Sequence, residues 1–200
     1  MTKKLYGALV PLLAVAAFAG MPAAAKAAPH WYKEGTRLPF TSAQTGTVMY
    51  GQTSMTMSNG IGMACKVLAA GNVWNSILAS DGKGNVEVFD NLQCLSSECP
   101  QISIEYNGLS WQTGLTEIVG GTIRDSIPVI MYMNCSGTAL DWTGTLEPKV
   151  VNGTSKTAPS HLEFGASSGT LTASDGETAT WNGQIKIEGE EQELIAAKNP

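Results

Sequence analysis

The chain has 200 residues, of which 43% are apolar and only 14% are charged, and it contains 22 glycines and 9 prolines. So few charged residues exclude a coiled coil or a long helical bundle, and the apolar content excludes wholesale disorder. The 17 acidic residues outnumber the 12 basic ones, which gives a formal net charge of −5. This balance argues against nucleic acid and against anionic membrane surfaces as partners.

The first 27 residues have the features of a secretory signal peptide. Lys3 and Lys4 precede an apolar stretch over residues 5–20, and the segment Ala25-Lys26-Ala27 matches the small-x-small cleavage pattern. A membrane-spanning helix needs about 20 consecutive apolar residues, and this stretch is shorter. We therefore predict a cleaved signal peptide over residues 1–27, a secreted, extracellular protein and no membrane anchor.

Residues 28–200 are predicted to form one secreted β domain. Their number suits a single domain with a sizeable core. Because three of the 12 basic residues and none of the 17 acidic ones precede residue 28, nine basic residues remain and the formal charge of this part is −8.

The four cysteines are predicted to form two disulfides, because an even number in an exported domain is typical of a disulfide framework. Period-2 alternation places Cys65 on the apolar face of its segment and Cys135 on the apolar face of another, so we expect these two to bond in the core. Cys94 and Cys99 flank a short loop and are expected to bond each other. A zinc site is disfavoured because no histidine lies near this pair, and no metal ligand is assigned.

Short alternating or β-branched runs lie between turn signals such as Asn59-Gly60, Asp175-Gly176 and Asn182-Gly183. Only residues 69–80 are expected to contain a helical turn or two. The pattern predicts an all-β fold, either a single-domain β-sandwich or a flattened β-barrel of about 8–10 strands. The predicted strands cover residues 45–58, 60–67, 85–94, 102–106, 127–135, 140–146, 169–173, 177–181 and 184–188.

Five segments carry a resemblance to known proteins: residues 29–32, 151–154, 161–164, 168–171 and 189–195. Together they resemble a group of secreted actinobacterial proteins that are generally left as hypothetical. The resemblance covers nearly all of residues 28–200 and implies export and one β domain. No activity is assigned to that group, so the resemblance implies no functional residue.

No catalytic residue is assigned from the sequence. Gly165–Gly169 matches the G-x-S-x-G pattern by its letters, but no histidine follows Ser167 as the hydrolase elbow requires, so we expect a flexible loop there. His30 is expected to lie in a mobile N-terminal segment, and His161 in a surface loop without a nucleophile beside it. We expect no cofactor.

Two tryptophans are candidates for an exposed ligand-stacking surface. Alternation puts Trp111 and Trp142 on apolar faces, where they are expected to lie in the core. Trp31, near the predicted start of the domain, and Trp74, between two asparagines at positions 72 and 75, are the candidate ligand-binding residues.

These observations favour a non-catalytic secreted domain that binds an extracellular or cell-wall ligand. Two alternatives stay open. One is a secreted, glycosidase-like hydrolase, which needs two carboxyl groups about 5–10 Å apart in a groove. The other is a self-associating matrix protein, which needs an unpaired edge strand.

Overall fold

The fold is nearly all β-strand, as the alternating pattern predicts. The computed structural model describes residues 28–40, 43–78, 81–118 and 120–199, so the predicted signal peptide lies outside the described residues. One 3-10 turn, Ala166–Ser168, interrupts the strands. The strands are β1 (His30–Lys33), β2 (Thr36–Arg37), β3 (Thr45–Met57), β4 (Gly62–Asn75), β5 (Gly82–Leu95), β6 (Ile102–Tyr106), β7 (Trp111–Ile118), β8 (Thr122–Cys135), β9 (Thr138–Leu146), β10 (Lys149–Val151), β11 (Ser160–Phe164), β12 (Thr170–Ala173), β13 (Thr178–Gly189) and β14 (Ile195–Lys198).

Eight of these strands close into a barrel. They follow the order β3-β4-β5-β7-β8-β9-β12-β13, and β13 pairs again with β3. The closing ladder is antiparallel and runs from the pair Thr47–Gly189 to the pair Met57–Ala179. The all-β prediction is confirmed. Of the two predicted architectures, a β-sandwich and a flattened β-barrel, the structure has a barrel.

The remaining strands extend or cover the barrel wall. β6 pairs with the second half of β8, while β10 and β11 lie beside β8 and β13. β14, β1 and β2 form a separate three-stranded sheet. The described part of the chain contains no helix of the length and hydropathy needed to span a bilayer.

Large apolar side chains fill the interior of the barrel. Alternate residues of each strand point inward, as the period of a β-strand requires. Trp111 and Trp142 are 3% and 0% exposed, which confirms their predicted place in the core. Met131, Leu171 and Ile185 are also almost completely buried.

Two local predictions are wrong because strand pairing overrides the local signal. Residues 69–75 continue β4 instead of forming a helical turn, since they pair with β5 while Ala69, Gly71 and Val73 point inward. Asn182-Gly183 is not a turn but lies within β13, where Gly183 has a φ of 121° and its backbone closely approaches Gln52. The turn at Gly60 is confirmed, with a φ of 90°.

The two disulfides join Cys65 to Cys94 and Cys99 to Cys135, with Cα–Cα distances of 4.1 Å and 5.2 Å. The predicted pairing of Cys65 with Cys135 and of Cys94 with Cys99 is therefore wrong. Alternation predicts the face of the strand on which a thiol lies, and Cys65 does point inward as predicted. Alternation does not predict which strand lies alongside. In the β4–β5 register Cys65 lies directly opposite Cys94, and β8 ends with Cys135 beside Ile102, close in sequence to Cys99.

One buried amide attaches the three-stranded sheet to the barrel. The side chain of Asn75, at the end of β4, is completely buried. It accepts a hydrogen bond from the Trp31 amide at 2.8 Å and donates to the carbonyl oxygens of Trp31 at 3.1 Å and Leu38 at 2.7 Å. Asn152 makes a similar two-way contact with the backbone of Ala197, at 2.7 Å and 2.8 Å. Because Trp31 pairs directly with Ala197, the two asparagines hold neighbouring positions of β1 and β14.

Peptide mapping without reduction tests the disulfide pairing. Cleavage after Glu98 separates Cys94 from Cys99, so we expect two cross-linked products, one joining Cys65 to Cys94 and one joining Cys99 to Cys135. A product in which Cys94 is linked to Cys99 would contradict this register.

The bridges span 29 and 36 residues, so removing either one should lower the free energy of unfolding by about 3–4 kcal/mol on the chain-entropy model.

We expect Asn75→Ala to destabilise the fold strongly. The substitution leaves the Trp31 N–H and the Leu38 carbonyl group without the partner that Asn75 provides, and each such buried group costs about 1–3 kcal/mol. The Trp31 carbonyl group keeps its hydrogen bond from the Leu38 N–H. Urea unfolding should show a loss of about 3 kcal/mol or more. Asn72→Ala is the matched control, because the Asn72 amide bonds polar side chains at a partly exposed site. Equal losses for the two variants would contradict this role of Asn75.

Candidate functional site

Trp31 does not provide an exposed ligand-stacking surface. It is 1% exposed, so the predicted exposure of this residue is wrong. The reason is that β1 pairs with β14 and lies against the barrel, where the indole packs beside Gly82: a Cβ atom at Gly82 would be 2.9 Å from Trp31 Cδ1. The sequence around Trp31, near the predicted start of the domain, does not predict this packing.

Trp74 lies on the outer face of the barrel. Its neighbours Val73 and Asn75 are buried, whereas Trp74 is half-buried, as strict alternation in β4 requires. It pairs with Lys83 of β5. Of the two candidate residues, Trp74 is therefore the one whose side chain reaches a ligand-accessible surface.

Trp74 lines an open groove of about 620 Å³, called here the Trp74 groove. This volume is within the usual range for ligand sites, roughly 300–1,000 Å³. The groove crosses β4, β5, β7, β8 and β9, which are neighbours in the barrel. Its wall is formed by Trp74, Ser76, Asp81, Lys83, Gln112, Thr113, Gly114, Leu115, Thr116, Ser126, Pro128 and Thr145.

The charges in the Trp74 groove neutralise each other. Lys83 Nζ lies 2.8 Å from Asp81 Oδ2, and both side chains are partly exposed. The ammonium group lies over Gly114, where a Cβ atom would be 3.2 Å from Nζ. Because the described lining residues carry no other charged side chain, the groove presents an indole, hydroxyl groups and the Gln112 amide with no net charge.

A buried carboxyl group lies behind the groove wall. Asp125 of β8 points into the barrel interior and is 6% exposed. Burial raises its pKa from 3.8 to about 7, although hydrogen bonds from the Thr113 hydroxyl and the Gly114 amide and the charge of Lys83 act in the opposite direction. Its Oδ1 atom has no hydrogen-bond partner. Asp125 and Asp81 thus belong to opposite sides of the barrel wall.

Neither histidine lines the Trp74 groove. His30 is in β1, 4% exposed, with neither ring nitrogen hydrogen-bonded, so its predicted mobility is wrong. Burial and the charge of Arg37 lower the pKa of His30, against a smaller opposite effect of Asp81. His161 lies in β11 opposite Val151 and Lys186 and not in a loop. The strand pairing that holds both residues could not be read from their immediate sequence.

Ser167 lies in the 3-10 turn and not in a strand-to-helix elbow. Its hydroxyl accepts a hydrogen bond from Arg124 Nη2 at 3.0 Å, and its carbonyl oxygen accepts one from Arg124 Nη1 at 2.8 Å. The segment predicted as a flexible loop is therefore held by an arginine. In the described ranges, no group of three or more histidine, cysteine, aspartate or glutamate side chains is placed to hold a metal ion.

Sequence reasoning missed most of the groove. Lys83, Gln112, Ser126 and Thr145 come from four different strands, and only the register of the sheet brings them together. The alternation of exposed polar and buried apolar residues in each strand could have placed them on the outer face, but not beside Trp74.

No protein-family model matches this chain, and no curated protein and no solved structure matches it.

We expect Asp125→Asn to stabilise the protein at alkaline pH. In the folded state the carboxyl group is protonated up to about pH 7, whereas in the unfolded chain it ionises near 3.8. The folded state therefore loses stability as the pH rises from about 4 through 7, and a neutral amide avoids this loss. From the two pKa values, Asp125→Asn should raise the free energy of unfolding by at most about 4 kcal/mol at pH 8 and by almost nothing at pH 4.

Chemical unfolding at several pH values measures this difference. Asp141→Asn is the control, because Asp141 is exposed. A gain from Asp125→Asn that stays the same from pH 4 to pH 8 would show that the carboxyl group is not held neutral in the folded protein.

Proposed function

We propose that this protein is a non-catalytic extracellular binding domain and that its Trp74 groove binds a neutral glycan of the cell envelope or surroundings. The observation that carries the proposal is the position of Trp74, a half-buried indole in a groove lined by hydroxyl and amide groups. Secretion is supported by the signal-like residues 1–27 and by the two disulfides, which persist in oxidising compartments.

The lining of the groove matches the two kinds of surface that a sugar presents. The faces of a sugar ring carry C–H groups that pack against an aromatic ring, and its edges carry hydroxyl groups that donate and accept hydrogen bonds. Trp74 supplies the aromatic surface, while Gln112, Ser126 and Thr145 supply polar side chains. Because Asp81 and Lys83 neutralise each other, an uncharged glycan fits the groove better than an acidic one.

The length of the groove favours an oligosaccharide over a single sugar. Five neighbouring strands contribute to its wall. At a strand spacing of about 4.8 Å, the four intervals between them span roughly 19 Å. An extended chain can therefore contact polar side chains from several strands at once.

The carboxylates support binding over hydrolysis. A glycosidase needs two carboxyl groups about 5–10 Å apart that face the same cleft. Among the described lining residues Asp81 is the one carboxylate, and it forms an ion pair with Lys83. Asp125 has the raised pKa of a general acid, but its side chain lies on the interior side of the wall.

Trp74→Ala should weaken glycan binding by about tenfold or more, a loss of about 1.4 kcal/mol. The measurement is calorimetry with neutral β-linked oligosaccharides, after a glycan array has identified the one that binds. Tyr132→Ala is the matched control, because Tyr132 is a half-buried aromatic residue of β8 that does not line the groove.

Two results would count against this proposal. Equal glycan affinities for Trp74→Ala and the wild type would remove Trp74 from the site. Hydrolysis of a glycan by the wild type that is abolished in Asp81→Asn would instead support the glycosidase-like alternative.

A further inference from the structure

A second open groove lies on another part of the barrel surface. It has a volume of about 630 Å³ and is called here the Tyr50 groove. Its lining includes Lys66 of β4, which precedes Trp74 by eight residues. These two residues are therefore roughly 26 Å apart along the strand. The two grooves are therefore separate. The Tyr50 groove is lined by Tyr50, Gly51, Gln52, Lys66, Val67, Leu92, Gln184 and Lys186.

The register of three strands assembles the polar side chains of this groove. Lys186 of β13 pairs with Tyr50 of β3, and Gln184 pairs with Gln52. Gln52 in turn pairs with Lys66 of β4. Because these residues alternate with inward-pointing ones, their side chains share the outer face. Two lysines and two glutamines thus surround one tyrosine.

Two irregularities of the strands shape the Tyr50 groove. A side chain at Gly51 would place its Cβ atom 2.0 Å from the Gln184 carbonyl oxygen, so only glycine permits the close approach of β3 to β13 at this point. On the other side, the register of β4 and β5 shifts between Lys66 and Val67 and leaves Leu92 without a partner. This bulge turns Leu92 outward, where it is 55% exposed and forms an apolar wall.

Both lysines of the groove have ammonium groups that are not neutralised. Within the described ranges, Lys33, Lys83, Lys149 and Lys156 form ion pairs with carboxylates, whereas Lys66 and Lys186 do not. Lys186 Nζ lies 5.4 Å from the centroid of the Tyr50 ring.

A carboxylate beside the groove, Glu188, is hydrogen-bonded to Tyr50. Its Oε1 atom accepts a hydrogen bond from the Tyr50 hydroxyl at 2.7 Å. This bond raises the pKa of Tyr50, keeping the phenol protonated, and fixes the ring at the rim of the groove. Because two lysines and no carboxylate line it, the Tyr50 groove is a local positive surface on a protein whose formal charge is −5.

We propose that the Tyr50 groove binds an acidic saccharide, that is, a sugar carrying a carboxylate or phosphate group. Lys66 and Lys186 bind the oxyanion, since charge-assisted hydrogen bonds are the strongest polar contacts available on this face. The amide groups of Gln52 and Gln184 donate to and accept from sugar hydroxyl groups. The Tyr50 ring and Leu92 contact the C–H surface of the sugar.

This site goes beyond the proposed function because it differs from the Trp74 groove in charge and in position. The ammonium and carboxylate groups of the Trp74 groove neutralise each other, whereas those of the Tyr50 groove leave a net positive charge. A ligand that carries both neutral and acidic sugars could therefore contact the barrel at two places.

Titration calorimetry with two acidic probes tests the proposal. Trigalacturonate carries carboxylates, a mannose 6-phosphate disaccharide carries phosphate, and cellotriose is the neutral comparison. We expect the wild type to bind at least one acidic probe at low salt, and the affinity to fall as the salt concentration rises, because exposed charges are screened. The acidic probe that binds identifies the oxyanion.

Single-lysine variants identify the site. We expect Lys66→Gln and Lys186→Gln each to weaken binding of the acidic probe about tenfold, and Lys66→Arg to retain most of the affinity. Lys156→Gln is the matched control, because Lys156 is an exposed lysine outside both grooves whose ion-pair partner is Glu34. Trp74→Ala should leave the acidic probe bound. Both lysines of the groove are exposed, so the variants should keep the unfolding temperature of the wild type.

Three results would overturn the proposal: no binding of either acidic probe, equal losses for Lys66→Gln and Lys156→Gln, or loss of the acidic probe in Trp74→Ala. The last result would assign acidic sugars to the Trp74 groove. Failure of the neutral glycan alone would count against the proposed function and leave the Tyr50 groove unaffected.

Discussion

The antiparallel ladder between β3 and β13 is the constraint on which the rest of the structure depends. It joins residues 47–57 to residues 179–189, which are more than 120 positions apart in the chain. This pairing turns an open sheet of eight strands into a barrel and removes the two edges that such a sheet would expose. It also needs glycine at two points of close approach, Gly51 and Gly183, where a Cβ atom would lie 2.0 Å and 2.4 Å from a backbone oxygen of the partner strand. The loss of conformational entropy on closing so long a loop is offset by hydrogen bonds along the whole ladder and by the core that it encloses.

Closure determines where a ligand can bind. The interior of an eight-stranded barrel is just wide enough to be filled by side chains, and here tryptophan, methionine and leucine side chains fill it. The two grooves described above therefore lie on the outer face, at places where the strands bulge or carry glycine. Gly114 lies beneath Lys83 in the Trp74 groove, and Gly51 and the Leu92 bulge shape the Tyr50 groove. At Gly51, the residue that permits close strand pairing thus also lies in the wall of a groove.

The sequence predicts the faces of the strands better than their neighbours. Alternation identifies the strands β3, β5 and β6 nearly to their ends and places Trp111, Trp142 and Cys65 on inward faces, because the period of a strand is a local property. It does not identify the partner of Cys65, because that depends on which strand lies alongside and in which register. The same reason explains the error at Asn182-Gly183: this pair suits a tight turn, but the long ladder with β3 keeps it in an extended strand. Local turn propensity is outweighed there by pairing between distant residues.

For the candidate site residues too, the sequence predicts the face of a strand better than its neighbours. Trp74 could be predicted as a ligand-accessible tryptophan from the asparagines around it and the alternation of β4, whereas Trp31 could not be recognised as buried, since the strands that cover it come from both ends of the described chain. Lys66 and Lys186 have ordinary local surroundings, and nothing in either segment distinguishes them from the four lysines that form ion pairs. They form a positive pair because β3 lies between their strands and because no carboxylate lines the groove that they share. A candidate binding surface built across three strands is therefore a property of the register, and the closing ladder between β3 and β13 is needed to assemble it.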